Sequence, residues 1–229
     1  MLKLDAVEIS QGSFTLRADL ELAKGGRLAV MGASGSGKST LLNLIAGFLI
    51  PDQGRVLLDS QDATQRDVSA RPLSILFQDG NVFPHLNVFD NVALGVSPSL
   101  KLDAAARARI PLALAQTGLE GMEERMPADL SGGQQSRIAL ARVLVRDRPL
   151  VLLDEPFAAL DPGLKREMAV LLDALCEKAG LTLVMVTHDL RDAEMLCEDV
   201  IVLESGEIAL NRPLVGIREN TPAALRPWL

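Results

Sequence analysis

Tyrosine is absent from this chain of 229 residues, tryptophan occurs once, and phenylalanine occurs six times. Rings able to stack on a ligand are therefore scarce. Cysteine is scarcer still. Cys176 and Cys197 lie in helix-like segments without Cys-x-x-Cys spacing, which reads as two buried thiols in a reducing compartment and not as a disulfide framework. Basic residues are in deficit: Lys plus Arg is 23, Asp plus Glu is 30, and the net charge is −7. That is the wrong sign for sequence-independent nucleic-acid binding, which needs clustered cations against phosphate. No apolar run approaches the ~18 residues of a membrane span. The most apolar stretch, 41–50, is short, is interrupted by Asn43 and reads as a buried helix. Met1–Asp5 shows no basic region followed by an apolar one, so no signal peptide is expected. A cytosolic protein follows, one that reaches a membrane only through a partner. Repeats and low-complexity linkers are absent, so one functional domain over 1–229 is expected.

Hydrophobic residues make up 48% of the chain, enough for a sizeable core. Leu2–Ile9 and Ser13–Leu22 alternate apolar and polar residues and read as half-buried antiparallel strands. Arg27–Met31 is a buried strand entering a glycine-rich loop; a helix over Ser39–Phe48 follows, stopped near Gly47 and Pro51. Arg55–Asp59 and Leu73–Phe77 are further short strands. From about Asn87 to Val145 the pattern turns Ala-rich and helical, with helices over Asp103–Thr117 and Gln135–Val145. Leu150–Leu153 and Leu181–Val186 read as parallel strands covered on both faces, with a helix over Leu164–Ala179 between them, and Val200–Leu203 with Glu207–Leu210 as a closing hairpin. Alternating strands and helices argue an α/β architecture with a parallel sheet.

Gly32-Ala33-Ser34-Gly35-Ser36-Gly37-Lys38-Ser39 fits the phosphate-loop pattern, with a strand before it and a helix after it. Glycines let successive N–H groups curl inward at phosphate oxygens, and the helix start adds about half a positive charge. Lys38 supplies a full charge to the β- and γ-phosphates, Ser39 offers a hydroxyl to Mg²⁺, and Thr40 follows in the same turn. The implied ligands are a nucleoside triphosphate and Mg²⁺. Asp154-Glu155 ends the Leu150–Leu153 strand, where an open α/β sheet binds its ligands. One carboxylate there can serve Mg²⁺ and the next can take a proton from water. The plain alternative is an acidic pair capping a helix. Leu130-Ser131-Gly132-Gly133-Gln134 supplies a hydroxyl and glycines before a helix, which by itself is a good helix start with Ser131 as cap.

A phosphate loop, then Leu130–Gln134, then Leu150–Pro156 in that order resembles the ABC-type ATPases, over nearly the whole chain from Leu2 to about Leu210. The resemblance implies a P-loop NTPase with a RecA-like core, an N-terminal antiparallel β-subdomain, and a helical subdomain, about 87–145, inserted between the Q-loop and Walker B. It implies Asp154 as the Walker B carboxylate for Mg²⁺, Glu155 as general base and Gln78 as the Q-loop glutamine near Mg²⁺ and the attacking water. It further implies Asp161 in the D-loop run Ala159-Leu160-Asp161 and His188 as the residue that contacts the γ-phosphate. Ser131, Gly132, Gly133 and Gln134 would be the signature, used on the ATP of a second copy paired head to tail. The family usually carries an aromatic, often Tyr, before the second strand to stack on adenine. Here Phe14 is the nearest aromatic, with a core-strand role as its other reading, and Gln11 is the alternative occupant of the aligned position.

The run from Gln78 to Val88 resembles importer ATPases, where a groove receives a coupling helix of a membrane permease; Phe83, Leu86 and Val88 are candidates to line it. Ile45–Phe48, the Phe83–Leu86 run and Leu94–Leu102 are most similar to importer ATPases that serve thiamine uptake. That implies a homodimer, an integral membrane permease, indirectly a periplasmic solute-binding protein, no nucleic acid, and a peripheral position on the cytoplasmic face of the inner membrane. Other small-solute importers, exporters and soluble ABC ATPases acting on nucleic acid are the rival readings. The last lack support from a coiled-coil insertion, a zinc module or a tandem ATPase. The C-terminal β-domain of some importer ATPases is not expected, and Pro222–Leu229, with Trp228, offers no functional handle.

Overall fold

Alternating apolar residues commit the start of the chain to a hairpin of β1 (Leu2–Gln11) and β2 (Phe14–Leu22). Leu2 and Leu4 are buried, then Val7 and Ile9, and the three-residue step between them is a β-bulge at which Ala6 takes φ +47° and the register shifts. The bulge keeps all four side chains on the core face, which an unbroken period of two would not. In the computed structural model, residues 1–78, 82–158 and 160–228 are described. Asp79, Gly80 and Asn81 of the Q-loop run and Ala159 of the D-loop run lie outside the described residues.

The chain continues through β3 (Arg27–Gly32), α1 (Lys38–Ala46), β4 (Gln53–Leu58), β5 (Gln61–Asp62) and β6 (Leu73–Leu76). Three helices follow: α2 (Val88–Ala93), α3 (Ala104–Gln116) and α4 (Gly132–Arg146). The remainder is β7 (Leu150–Asp154), α5 (Pro162–Ala179), β8 (Thr182–Val186), α6 (Leu190–Leu196), β9 (Asp199–Glu204) and β10 (Glu207–Pro213). One sheet runs β2-β1-β4-β5, antiparallel throughout. The other runs β10-β9-β3-β8-β7-β6, parallel from β9 to β6 with β10 antiparallel at its edge.

Strand residues of the parallel sheet divide between two cores with period two. Val30, Leu152, Val184 and Val186 face a cluster shared with α1 and the antiparallel sheet. Ala29, Met31, Val151, Leu153 and Met185 face a cluster shared with α4, α5 and α6. Burial on both faces accounts for the unbroken apolar runs of β7 and β8. A third cluster, including Val92, Ile110, Leu114, Ile138 and Ala141, holds α2, α3 and α4 together. Cys176 and Cys197 are both buried free thiols; burial pushes Cys176 up to about 11 and raises Cys197 as well, so neither is a ready nucleophile.

Several elements differ from the sequence expectation. Helix α1 ends at Ala46 and not at Phe48, because Gly47 adopts a left-handed conformation and returns its N–H to Asn43 O. The Arg71 guanidinium, wholly buried, donates to the carbonyls of Leu44 and Ile45 in the last turn. Helix α4 starts three residues earlier than Gln135, since Ser131 and Gln134 form a reciprocal capping box. Helix α6 and strand β5 are absent from the sequence expectation. The first has only seven residues, and the second only two. Val88 is a correction: it is 0% exposed inside the helical cluster and cannot line a docking groove. Phe83 is exposed, and its ring lies under the Arg142 guanidinium.

Candidate functional site

Strand β3 delivers the chain into the phosphate loop, and α1 leads it out. Gly37 sits immediately before α1 with φ +107°, and a Cβ there would come within 2.8 Å of the Phe14 ring. Both features demand glycine. No side chain caps α1, so its first-turn N–H groups are offered to whatever occupies the loop. Lys38 Nζ donates to the carbonyls of Gly32 at 2.7 Å and Ala33 at 2.8 Å. Those bonds hold the ammonium over the loop, and its third N–H is available for an anion. Burial lowers the Lys38 pKa, and the negative charges of Glu155 and Asp154 oppose that shift.

The parallel strands carry the acidic groups to the same end of the sheet. Asp154 is the last residue of β7 and pairs in register with Val186 of β8. Glu155 follows with φ +46°, a conformation that is costly for a residue with a Cβ, and its N–H is tied to Val186 O at 3.0 Å. His188 comes two residues after β8, and its Nδ1 lies 3.1 Å from Glu155 Oε2. His188 is largely exposed, with 62% of its side chain accessible, so the contact fixes it at the cavity rim. Burial first and the neighbouring Glu155 second raise the Asp154 carboxyl, against the pull of Lys38.

These elements enclose one cavity of about 650 Å³. Gly32, Ala33, Ser34, Gly35, Gly37, Lys38, Ser39, Thr40, Gln78, Asp154, Glu155 and His188 line it, as do Gln11, Phe14 and Trp228. Ser36, from the same loop, is buried with its hydroxyl unpaired in the interior. The donor set fits Mg²⁺. No cluster of three or more acidic, His or Cys groups that could cage a metal exists among the described residues. A hydroxyl from Ser39, a carboxylate from Asp154 and an amide oxygen from Gln78 on one cavity match a hard cation that keeps waters and substrate phosphates among its ligands.

The signature lies elsewhere. Ser131, Gly132 and Gly133 line a separate cavity of about 560 Å³ with Leu160, Asp161 and Gly163. Ser131 and Gly132 are exposed there. Gln134 is occupied locally, its side-chain oxygen accepting from Ser131 N at 3.0 Å. Asp161 caps α5, accepting from the N–H groups of Gly163 and Leu164, both at 3.0 Å. Gln78 faces two spaces. It lines the Lys38 cavity and also a groove with Phe77, Val82, Gln135 and Phe157, between the sheet and the helical cluster. Trp228 escaped the sequence reading, since no periodicity or motif ties an isolated C-terminal Trp to a loop two hundred residues earlier.

Comparison with known proteins shows the family. The family model described as "ABC transporter" matches residues 16–158, more than half of the chain. The chain is 58% identical over 229 residues to the "Thiamine import ATP-binding protein ThiQ" of Jannaschia sp. (strain CCS1), covering 100% of both chains. It is 46% identical to the protein of that name from Shigella sonnei (strain Ss046), covering 91% of this chain and 90% of that one. Among solved structures it is similar to cbiO1 from Clostridium perfringens, part of the cbiONQ ABC transporter complex, with a TM-score of 0.86, 30% identity, and coverage of 96% of this chain and 90% of that one. It is similar also to a dimeric post-hydrolysis state of the ATP-binding cassette MJ0796 bound to ADP and Pi, with a TM-score of 0.78, 32% identity, and coverage of 93% and 99%. With a phosphate loop, an acidic strand end and a histidine around one cavity and a glycine-rich helix start on another, this chain belongs to the ATP-binding subunits of the ABC transporter family.

Proposed function

We propose that the chain is the ATP-hydrolysing subunit of an ABC importer, that two copies close head to tail around two ATP molecules, and that the solute is thiamine or a thiamine phosphate. What supports the two-copy reading most is the division of the site. Lys38, Asp154, Glu155 and His188 share one cavity, while Ser131, Gly132 and Gly133 line another with Asp161. Each cavity is half of a nucleotide site, and a second copy supplies the missing half of each. Support for thiamine comes from relatives that carry that name along the full length of this chain. The single ABC domain spans 1–229, with 87–145 as its helical part.

In this reading the loop N–H groups and Lys38 hold the β- and γ-phosphates, and Ser39, Asp154 and Gln78 hold Mg²⁺. When bound, Mg²⁺ would be held by these three side chains and would supply positive charge that offsets that of the phosphates. Glu155 accepts a proton from the attacking water, and His188, 3.1 Å from its carboxylate, orients it and reaches the γ-phosphate. The partner's signature contributes Ser131 and the N–H groups at the start of α4 to the same γ-phosphate. ATP thus favours the closed pair, and loss of the γ-phosphate releases it, a population shift that a permease converts into movement. No helix among the described residues is long and apolar enough to cross a membrane. In the proposed reading the subunit works peripherally, on the cytoplasmic face, through an integral permease fed by a periplasmic binding protein.

The test uses Glu155→Gln. The variant is expected to bind MgATP, to lose nearly all turnover and to accumulate as a dimer in ATP by light scattering. Normal turnover would exclude Glu155 as the base. Thiamine-stimulated ATP hydrolysis in vesicles containing the co-purified permease tests the solute, and absence of stimulation alongside intact basal hydrolysis would leave the ATPase standing and remove thiamine.

A further inference from the structure

Phe14 is badly placed to receive a base. Its ring tip is wedged between two backbone segments: a Cβ on Gly37 would lie 2.8 Å from Phe14 Cζ, and one on Gly206 would lie 3.3 Å from it. Phe14 also packs onto the antiparallel core from a half-buried position. Its ring tip sits between the phosphate loop and the β9–β10 hairpin, where it acts as a spacer. Gln11 has no aromatic ring.

The other aromatic on this cavity is Trp228, the only tryptophan of the chain. It ends a 3₁₀ segment, Ala223–Trp228, that is pinned by Leu225, which is 0% exposed. The indole is half-buried and packs on the core that also holds Leu214 and Ile217. It borders two spaces, the Lys38 cavity and a neighbouring one of about 420 Å³ formed with Ala33–Ser36 and the Leu203–Ser205 turn. It therefore flanks the outer side of the phosphate loop, on the same cavity as Gln11 and Phe14.

We propose that Trp228 is the aromatic wall on which the nucleobase stacks, the C-terminal segment taking the part that a residue before β2 would otherwise play. The proposal rests on the reading of this cavity as a nucleotide site and adds the residue that holds the base. Stacking on an indole reads the π-face that every base has, so purine identity matters little to it.

The full-length chain tests this directly, because Trp228 is its only tryptophan. Emission is followed while MgADP, MgGDP or magnesium pyrophosphate is added, and affinities are taken by calorimetry. Both nucleotides are expected to change the emission, whereas pyrophosphate binds with no such change. Trp228→Ala should weaken MgADP and MgGDP alike by about tenfold and leave pyrophosphate unaffected, and Trp228→Phe should recover most of the loss. Unchanged MgADP affinity in Trp228→Ala, or equal weakening of pyrophosphate, would overturn the stacking role; the second result would make Trp228 a prop for the loop. Failure of the wild-type chain to bind either MgADP or pyrophosphate would overturn the nucleotide reading and the proposal with it.

Discussion

Arg71 offers the sharpest link between a buried polar group and the nucleotide site. Arg71→Met keeps most of the stem and removes the guanidinium fork. Four hydrogen bonds go with it: Nη1 to Leu44 O at 2.8 Å and Ile45 O at 2.7 Å, Nη2 to Thr64 O at 3.1 Å, and Nε to Arg66 O at 3.2 Å. Two of these carbonyls belong to the last turn of α1, where a helix has no internal partner to give them. Stranding a buried acceptor costs about 1–3 kcal/mol, so the three buried ones together represent about 3–9 kcal/mol. The cation itself is costly to bury. Desolvation and the nearby Arg66 lower its pKa, and removing a buried charge returns several kcal/mol. The net loss is expected to be about 3 kcal/mol. Equilibrium urea unfolding followed by circular dichroism measures it. Arg71→Lys should recover less than half, since a compact ammonium cannot serve two adjacent carbonyls and a third across the turn. A Met variant within about 0.5 kcal/mol of wild type, or full rescue by Lys, would refute the reasoning. Because α1 begins at Lys38 and Ser39, the destabilised variant should also bind MgADP more weakly.

Asp154→Asn should stabilise the nucleotide-free protein while removing turnover. The folded-state carboxyl is raised, so the penalty of holding it charged is present above its folded pKa and fades as pH falls through it. Thermal melts should therefore show the variant more stable than wild type at pH 7 and the gap closing in mildly acidic buffer. A less stable variant at pH 7 would contradict the desolvation account. Lys38→Ala is expected to weaken binding of MgADP and pyrophosphate alike, at least tenfold on the scale of about 1.4 kcal/mol per decade, and calorimetry reporting wild-type affinity would remove Lys38 from the phosphate site. Ser131→Arg on one copy, mixed with Lys38→Ala on the other, should leave one dimer site doubly damaged and one intact, so residual turnover near half of wild type is expected. Turnover near zero in that heterodimer would argue against head-to-tail pairing, because sites formed within one copy would then both be damaged.

The phosphate loop is legible in the sequence as a local pattern whose chemistry depends on adjacent residues, whereas the signature run, the acidic strand end and His188 take their roles from the order of motifs that resembles the family. The strands were legible because burial on one or two faces leaves a period of two or an unbroken apolar run, and even the β1 bulge left its trace in the step from Leu4 to Val7. Seven-residue α6 and two-residue β5 were not legible, since so few residues develop no period. Nor was the burial of Val88, because its apolar side chain suits a groove and a core equally. The sequence by itself determined that this is an ABC-type ATP-binding subunit and which residues are candidates for the phosphate chemistry. Only the tertiary structure decided which of those residues share a cavity, that the signature stands apart from it, that Arg71 closes the end of α1, and that Trp228 comes to the phosphate loop. Those facts depend on contacts between residues distant in the chain, set by packing across the sheets, and no local pattern records them.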